Sequence, residues 1–136
     1  GCEVRVQLFT VPGQPKYSST RKMVLKGVDG VVFVADSLEI RKKDNLWSLK
    51  DLQQNLTEQK KDLFQTPLVL QYNKRELADD GIPLMSIEQL DKDLNRQLKA
   101  PSFPGSAVKG TGVGDTLKAC IKQTLTALQK ELKWAQ

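Results

Sequence analysis

Two short runs of this chain carry side chains whose types and spacing suit chemistry on a nucleotide. Thr10-Val11-Pro12-Gly13-Gln14 directly follows a strand-like run. A strand that ends in a tight glycine turn can bring a backbone N–H against a terminal phosphate, because Gly13 has no Cβ to block the approach. Gln14, next along, is placed to orient an attacking water. Taken alone, a Pro-Gly pair after a strand is most often an ordinary turn. Asn73-Lys74-Arg75-Glu76 follows a second apolar run, Leu68-Val69-Leu70. The Asn73 amide can both donate to and accept from a purine edge, and the Lys74 stem can lie over the ring. The Glu76 carboxylate can accept the two N–H donors of guanine at N1 and N2, which adenine lacks. By itself this run reads equally as a polar loop.

A third run, Ser106-Ala107-Val108-Lys109-Gly110-Thr111-Gly112-Val113-Gly114, leads into the last helical stretch. Gly105 and Gly110 have the spacing of the two phosphate-loop glycines, but Thr111-Gly112 stands where Lys-Ser/Thr is required. No Lys or hydroxyl there sits correctly for β/γ-phosphates and Mg²⁺, so the better account is a loop whose amides contact a base. No G-x-x-x-x-G-K-[ST] occurs anywhere in the 136 residues. Together the first two runs look like loops that would sense a terminal phosphate and read a base, without the loop that holds the phosphates.

Composition narrows the chemistry further. Histidine is absent, which removes imidazole bases, Ser-His-Asp triads and the commonest metal ligand. Cys2 and Cys120 have no C-x-x-C spacing, so zinc and thioredoxin-like sites are unsupported. Cys120 falls at helical spacing among Leu117, Ile121 and Leu125, as a buried thiol would, and a reducing cytoplasm fits. The net charge of +5 comes from lysines mixed with Glu and Asp along helices, which reads as solvated faces rather than a nucleic-acid surface. It equally suits an acidic protein partner. The longest apolar run, Val31 to Ala35, is far too short to span a membrane. Gly1-Cys2-Glu3 brings no initiator Met or leader and reads like the middle of a longer chain.

The elements that must position these runs alternate short apolar strands with amphipathic helices, the pattern of an α/β domain. At 136 residues it is one domain, residues 1–136. The expected fold is doubly wound, with a mostly parallel sheet and helices on both faces. Alternation of Val4, Val6 and Leu8 with polar residues predicts a strand over Glu3–Thr10. Val31–Ala35, continuous and β-branched, predicts a strand covered on both faces. Leu68–Tyr72 predicts a third strand and Ser106–Val108 a short fourth, with Pro101, Pro104 and Gly105 arguing against the last. Helices are predicted over Lys16–Lys26, ended by Gly27, and over Asp44–Lys60. A third stripe, Ile87, Leu90, Leu94 and Leu98, follows a Ser86/Gln89 capping box. The last stripe runs Leu117, Ile121, Leu125, Leu128 and Leu132, with Asp115 at the N-cap or first turn. All four stripes are expected to be core faces.

The order of these motifs in a βα-alternating chain resembles the Ras-like small GTPases, and within them the bacterial MglA group. The closest points are Thr10–Gln14, Lys26–Ser37, Gln71–Arg75 and Thr111–Lys118, spread over nearly the whole chain. The resemblance implies a P-loop GTPase-like fold, N-terminally incomplete here, and a GTP/GDP switch with Mg²⁺ that regulates cell polarity and gliding motility. It implies that Gln14 serves hydrolysis and that Gly13 and Gln14 belong to switch II. Asn73, Lys74 and Glu76 would then recognise the base, and Ala107, Val108 and Lys109 would lie in the loop contacting guanine O6. The partners implied are a roadblock-fold, MglB-like activator and motility effectors, in the cytoplasm and without nucleic acid. Thr10 stands where most small GTPases have an Asp supporting the Mg²⁺ shell, and Glu76 replaces the usual Asp. The phosphate-loop strand, which in that family lies between the strands corresponding to Glu3–Thr10 and Val31–Ala35, has no counterpart. Either those strands close up or a gap remains. A degenerate, non-catalytic interaction module is the competing reading.

Overall fold

In a computed structural model, which describes residues 3–11 and 13–135, three parallel strands form a sheet in the order β1-β2-β3. These are β1 (Val31–Asp36), β2 (Leu68–Asn73) and β3 (Ser102–Pro104). Between them run α1 (Ser18–Leu25), α2 (Lys42–Glu58), α3 (Ile87–Leu90) continued by a π-helical turn over Asp91–Asn95, and finally α4 (Val113–Ala135). Parallel pairing requires crossovers, and α2 supplies the one from β1 to β2, α3 with its π-helical turn the one from β2 to β3. The expected α/β architecture is met.

The core forms where β2, central and apolar throughout, meets the helical stripes. Leu68, Leu70 and Tyr72 share one face of β2 and pack with Phe33 and Ala35 of β1, Leu52 and Leu56 of α2, and Leu90 and Leu94. The opposite face carries Val69 and Gln71, both buried, and α4 packs along it. Ser86 caps α3 as predicted, its Oγ accepting from the Gln89 N–H at 3.1 Å. The other arm of a capping box does not form, since Gln89 Nε2 donates to Asp93 instead. Gly27, at φ +77°, ends α1 as predicted. Tyr72 is fully buried and its hydroxyl donates to Asp91 Oδ1 at 2.5 Å. Burial, and then that hydrogen bond, push the phenol well above the ordinary tyrosine range.

Four sequence expectations are corrected. Glu3–Thr10 forms no strand: it pairs with nothing in the sheet and leaves Val4, Val6, Leu8 and Phe9 exposed. The fourth strand is Ser102–Pro104 rather than Ser106–Val108. An edge strand tolerates the prolines, because a proline's missing N–H is no loss on an unpaired side. β1 is not covered on both faces; Val34 is 54% exposed. Nor is the α4 stripe wholly a core face. Leu117, Ile121, Leu125 and Leu128 are half-buried and line a cleft of about 450 Å³ that segment 4–11 closes on the far side.

One physical cause underlies three of these corrections. Among the described residues, β1 pairs only with β2, so its outer edge is open. A second cleft of about 450 Å³ lies between that edge, residues 9–11 with Gly13, and α2. Segment Glu3–Thr10 has not closed up on β1, and the gap remains beside that strand. Cys120, as expected, is a buried free thiol, and burial raises its pKa.

The turn into α4 has little tolerance. Gly112 adopts φ +76°, and a Cβ there would meet the Pro104 carbonyl oxygen at 2.4 Å. Gly112→Ala is expected to cost at least about 2 kcal/mol, seen as a melting temperature lower by roughly 5–10 °C in a calorimetric scan.

Candidate functional site

Because all three strands are parallel, their C-terminal ends lie along one edge of the sheet, the place where open α/β sheets receive ligands. Asp36 and Asn73 stand side by side in the register, and Tyr72 pairs with Pro104. The loops after β2 and β3 are thereby brought together: the Arg75 N–H donates to the Gly105 carbonyl at 3.2 Å.

Sequence-predicted residues meet there. Asn73 Oδ1 accepts from the Ala107 N–H at 2.9 Å. Ser106 Oγ donates to Glu76 Oε1 at 3.0 Å and accepts from the Lys109 N–H at 3.2 Å. Glu76 is therefore held by one oxygen, while its other, Oε2, is buried without a hydrogen-bond partner among the described residues. A buried carboxylate oxygen left unpaired costs free energy, and a ligand presenting N–H donors would satisfy it. Ala107 to Gly110 form a turn closed by pairing of Ser106 with Thr111. Val108 is 88% exposed on it, and the Lys109 ammonium reaches only the exposed Asp79, at 3.9 Å. The loops after β2 and β3 thus bring together Asn73, Glu76, Ser106 and Ala107, with Lys109 joined through its backbone.

Lys74 adopts a left-handed conformation, φ 71°, which turns the chain sharply at the end of β2. Its Nζ donates to Asp36 Oδ2 at 2.8 Å. Asp36 is itself fixed: Oδ1 accepts from the Leu38 N–H, and its backbone exchanges hydrogen bonds with the Asn45 amide. Sequence reading did not single out Asp36 as a site residue. The available signal was an acid at the C-terminal end of a strand beside a lysine-bearing loop. Asp36→Asn is expected to release Lys74 and to weaken guanine-nucleotide affinity about tenfold, the worth of one charge-assisted hydrogen bond. Calorimetric titration of the complete gene product would show it.

Gly13 and Gln14 belong to a different set of contacts, and Pro12 between them and Thr10 lies outside the described residues. Gln14 precedes a 3₁₀ turn, Pro15–Tyr17, that leads into α1, and its side chain is exposed. The Gln14 carbonyl accepts from the Tyr17 N–H at 3.0 Å and from Arg21 Nη1 at 2.5 Å. A Cβ on Gly13 would meet nothing within 4 Å, so the chain itself imposes no need for glycine there. Thr10 lines the cleft beside the β1 edge. Among the described residues, no group of three or more His, Cys, Asp or Glu side chains is arranged around a metal ion. No helix among the described residues is long and apolar enough to cross a membrane.

No family model matches the chain. It is 48% identical over 130 residues to the mutual gliding-motility protein MglA of Myxococcus xanthus (strain DK1622), an alignment that takes in 96% of this chain and 64% of that protein. The chain therefore spans a little under two thirds of this relative's length. Similarity along 96% of the chain, together with the parallel α/β sheet, supports an MglA-like small GTPase family for this chain.

Proposed function

We propose that these residues form the switch II and base-reading portion of a GTP-binding switch that hydrolyses GTP to GDP and controls cell polarity and gliding motility. The observation that carries the reading is Glu76 Oε2, buried without a hydrogen-bond partner among the described residues, on a carboxylate tied through Ser106 to the loop whose Ala107 amide meets Asn73. Guanine offers N1 and N2 donors to a carboxylate and O6 to an amide, whereas adenine offers neither combination. The Ala107 N–H would exchange Asn73 Oδ1 for the guanine oxygen, freeing the Asn73 amide for the purine edge. Lys74, anchored on Asp36, would lay its stem over the ring.

Gln14, exposed at the start of the 3₁₀ turn, would orient the water that attacks the terminal phosphate, and Gly13 would bring its N–H against that phosphate. The open Cβ position of Gly13 supports a constraint imposed by ligand rather than by the fold. Mg²⁺ would arrive with GTP and neutralise phosphate charge, held by groups outside these residues. The phosphate loop would occupy the gap beside β1, since that edge offers a row of unpaired ladder groups flanked by clefts on both faces. A roadblock-fold, MglB-like activator and motility effectors in the cytoplasm complete the proposal, with α1 and the turn before it as part of the surface they read.

The competing reading is a non-catalytic interaction module that keeps only the scaffold, favoured by Glu76 in place of a shorter Asp. The codons directly upstream of Gly1 decide between them. An in-frame G-x-x-x-x-G-K-[ST] is expected; a stop codon or a start at Gly1 would support the module instead.

A further inference from the structure

Arg21 lies on α1, where the sequence reads as an ordinary amphipathic helix. It is nevertheless only 5% exposed, and it is the one charged side chain among the buried residues described. Burying a guanidinium is costly unless its donors find partners of suitable geometry. Arg21 Nε donates to Asp51 Oδ2 of α2 at 2.8 Å, and the Asn55 amide steadies the same carboxylate oxygen at 3.1 Å. The guanidinium also stands over the Trp47 ring, 5.3 Å from its centroid. An ion pair between α1 and α2 would need no more than this. Yet Nη1 also donates to the carbonyl of Gln14, seven residues earlier in an exposed loop where water would serve as well.

From this geometry we propose that Arg21 is a positioning residue for the phosphate-sensing loop. Its guanidinium ties the Gln14 backbone to the rigid Asp51–Asn55–Trp47 surface of α2, and so sets where the Gln14 side chain is presented. The planar fork is essential to the role, because its Nε and Nη1 donors point in separate, fixed directions. A lysine at this position would keep the charge opposite Asp51, but a single ammonium cannot hold both partners in that arrangement. The same device gives the loop a defined alternative: with the Arg21–Gln14 contact broken, the segment before α1 keeps only the Tyr17 turn bond on that carbonyl. As a statement about hydrolysis, the proposal rests on the GTPase reading above; as a statement about the loop, it stands without it.

The test is Arg21→Lys in the complete gene product, with Asp51→Asn as a second variant. Amide hydrogen exchange over residues 13–17 is measured together with single-turnover GTP hydrolysis and GTP affinity. The expected result is faster exchange over 13–17 by tenfold or more, a hydrolysis rate reduced by a similar factor, and unchanged nucleotide affinity. Exchange over 13–17 at the wild-type rate in Arg21→Lys would overturn the proposal, leaving Arg21 as a helix–helix ion pair only. Should the wild-type protein hydrolyse no GTP, the catalytic reading fails on its own, and the exchange comparison still decides the role of Arg21. If Arg21→Lys does not fold, Asp51→Asn loosens the same guanidinium from its anchor, and faster exchange over 13–17 in it is again the required outcome.

Discussion

Glu76→Ala in the complete gene product is expected to weaken GTP binding by roughly a hundredfold or more, the loss of two hydrogen bonds to a charged acceptor. The expectation follows from the asymmetry of that carboxylate. One oxygen is engaged by Ser106, and the other is buried with no partner among the described residues. Removing the group relieves an unpaired acceptor in the empty protein but forfeits both guanine donors in the complex. The folded state should therefore lose little, since only the Ser106 hydroxyl is stranded, at about 1 kcal/mol. Glu76→Gln separates the two effects: it keeps an acceptor for Ser106 and removes the charge. Competition between GTP and ATP in equilibrium titrations would show the discrimination collapsing in both variants. Unchanged discrimination would remove Glu76 from base recognition.

Gln14→Ala is expected to do the reverse, leaving GTP affinity within about twofold and slowing hydrolysis on the order of a hundredfold, the usual cost of losing a positioned reactant. The contact that fixes this residue is made by its backbone carbonyl, to Arg21 and Tyr17. Truncating the side chain leaves that tie in place, so the loop keeps its course while the water loses its orienting amide. Single-turnover phosphate release reads the chemical step directly. A rate equal to wild type would assign the exposed Gln14 side chain to some other task, such as partner contact.

Much of the fold was legible because it rests on local patterns with strong physical causes. The Val31 and Leu68 runs are both strands as read, and β2 is central as its unbroken apolar sequence requires. The Ser86 cap and the Gly27 stop behaved as their side chains dictate. What failed was whatever depended on a neighbour. Val4, Val6 and Leu8 alternate as a strand should, but alternation supplies no hydrogen-bonding partner, and among the described residues the outer edge of β1 pairs with no strand. Val34 looks like a residue covered on both sides and is exposed for the same reason.

The site divides along similar lines. Asn73, Lys74 and Glu76 could be read as candidates because one short loop after a strand carries all three. Asp36 and Arg21 were not, because their significance arises from contacts 38 and 7 residues away in sequence. Arg21 also sits among residues of ordinary helical character, and its burial follows from how α1 packs on α2.

GTP titration of these 136 residues beside the upstream-extended gene product tests the central claim most directly. The base contacts alone are few, so the short chain should show no binding at micromolar GTP, while the extended chain binds tightly and prefers GTP over ATP. Micromolar or tighter affinity in the short chain, or no guanine preference in the extended one, would contradict it.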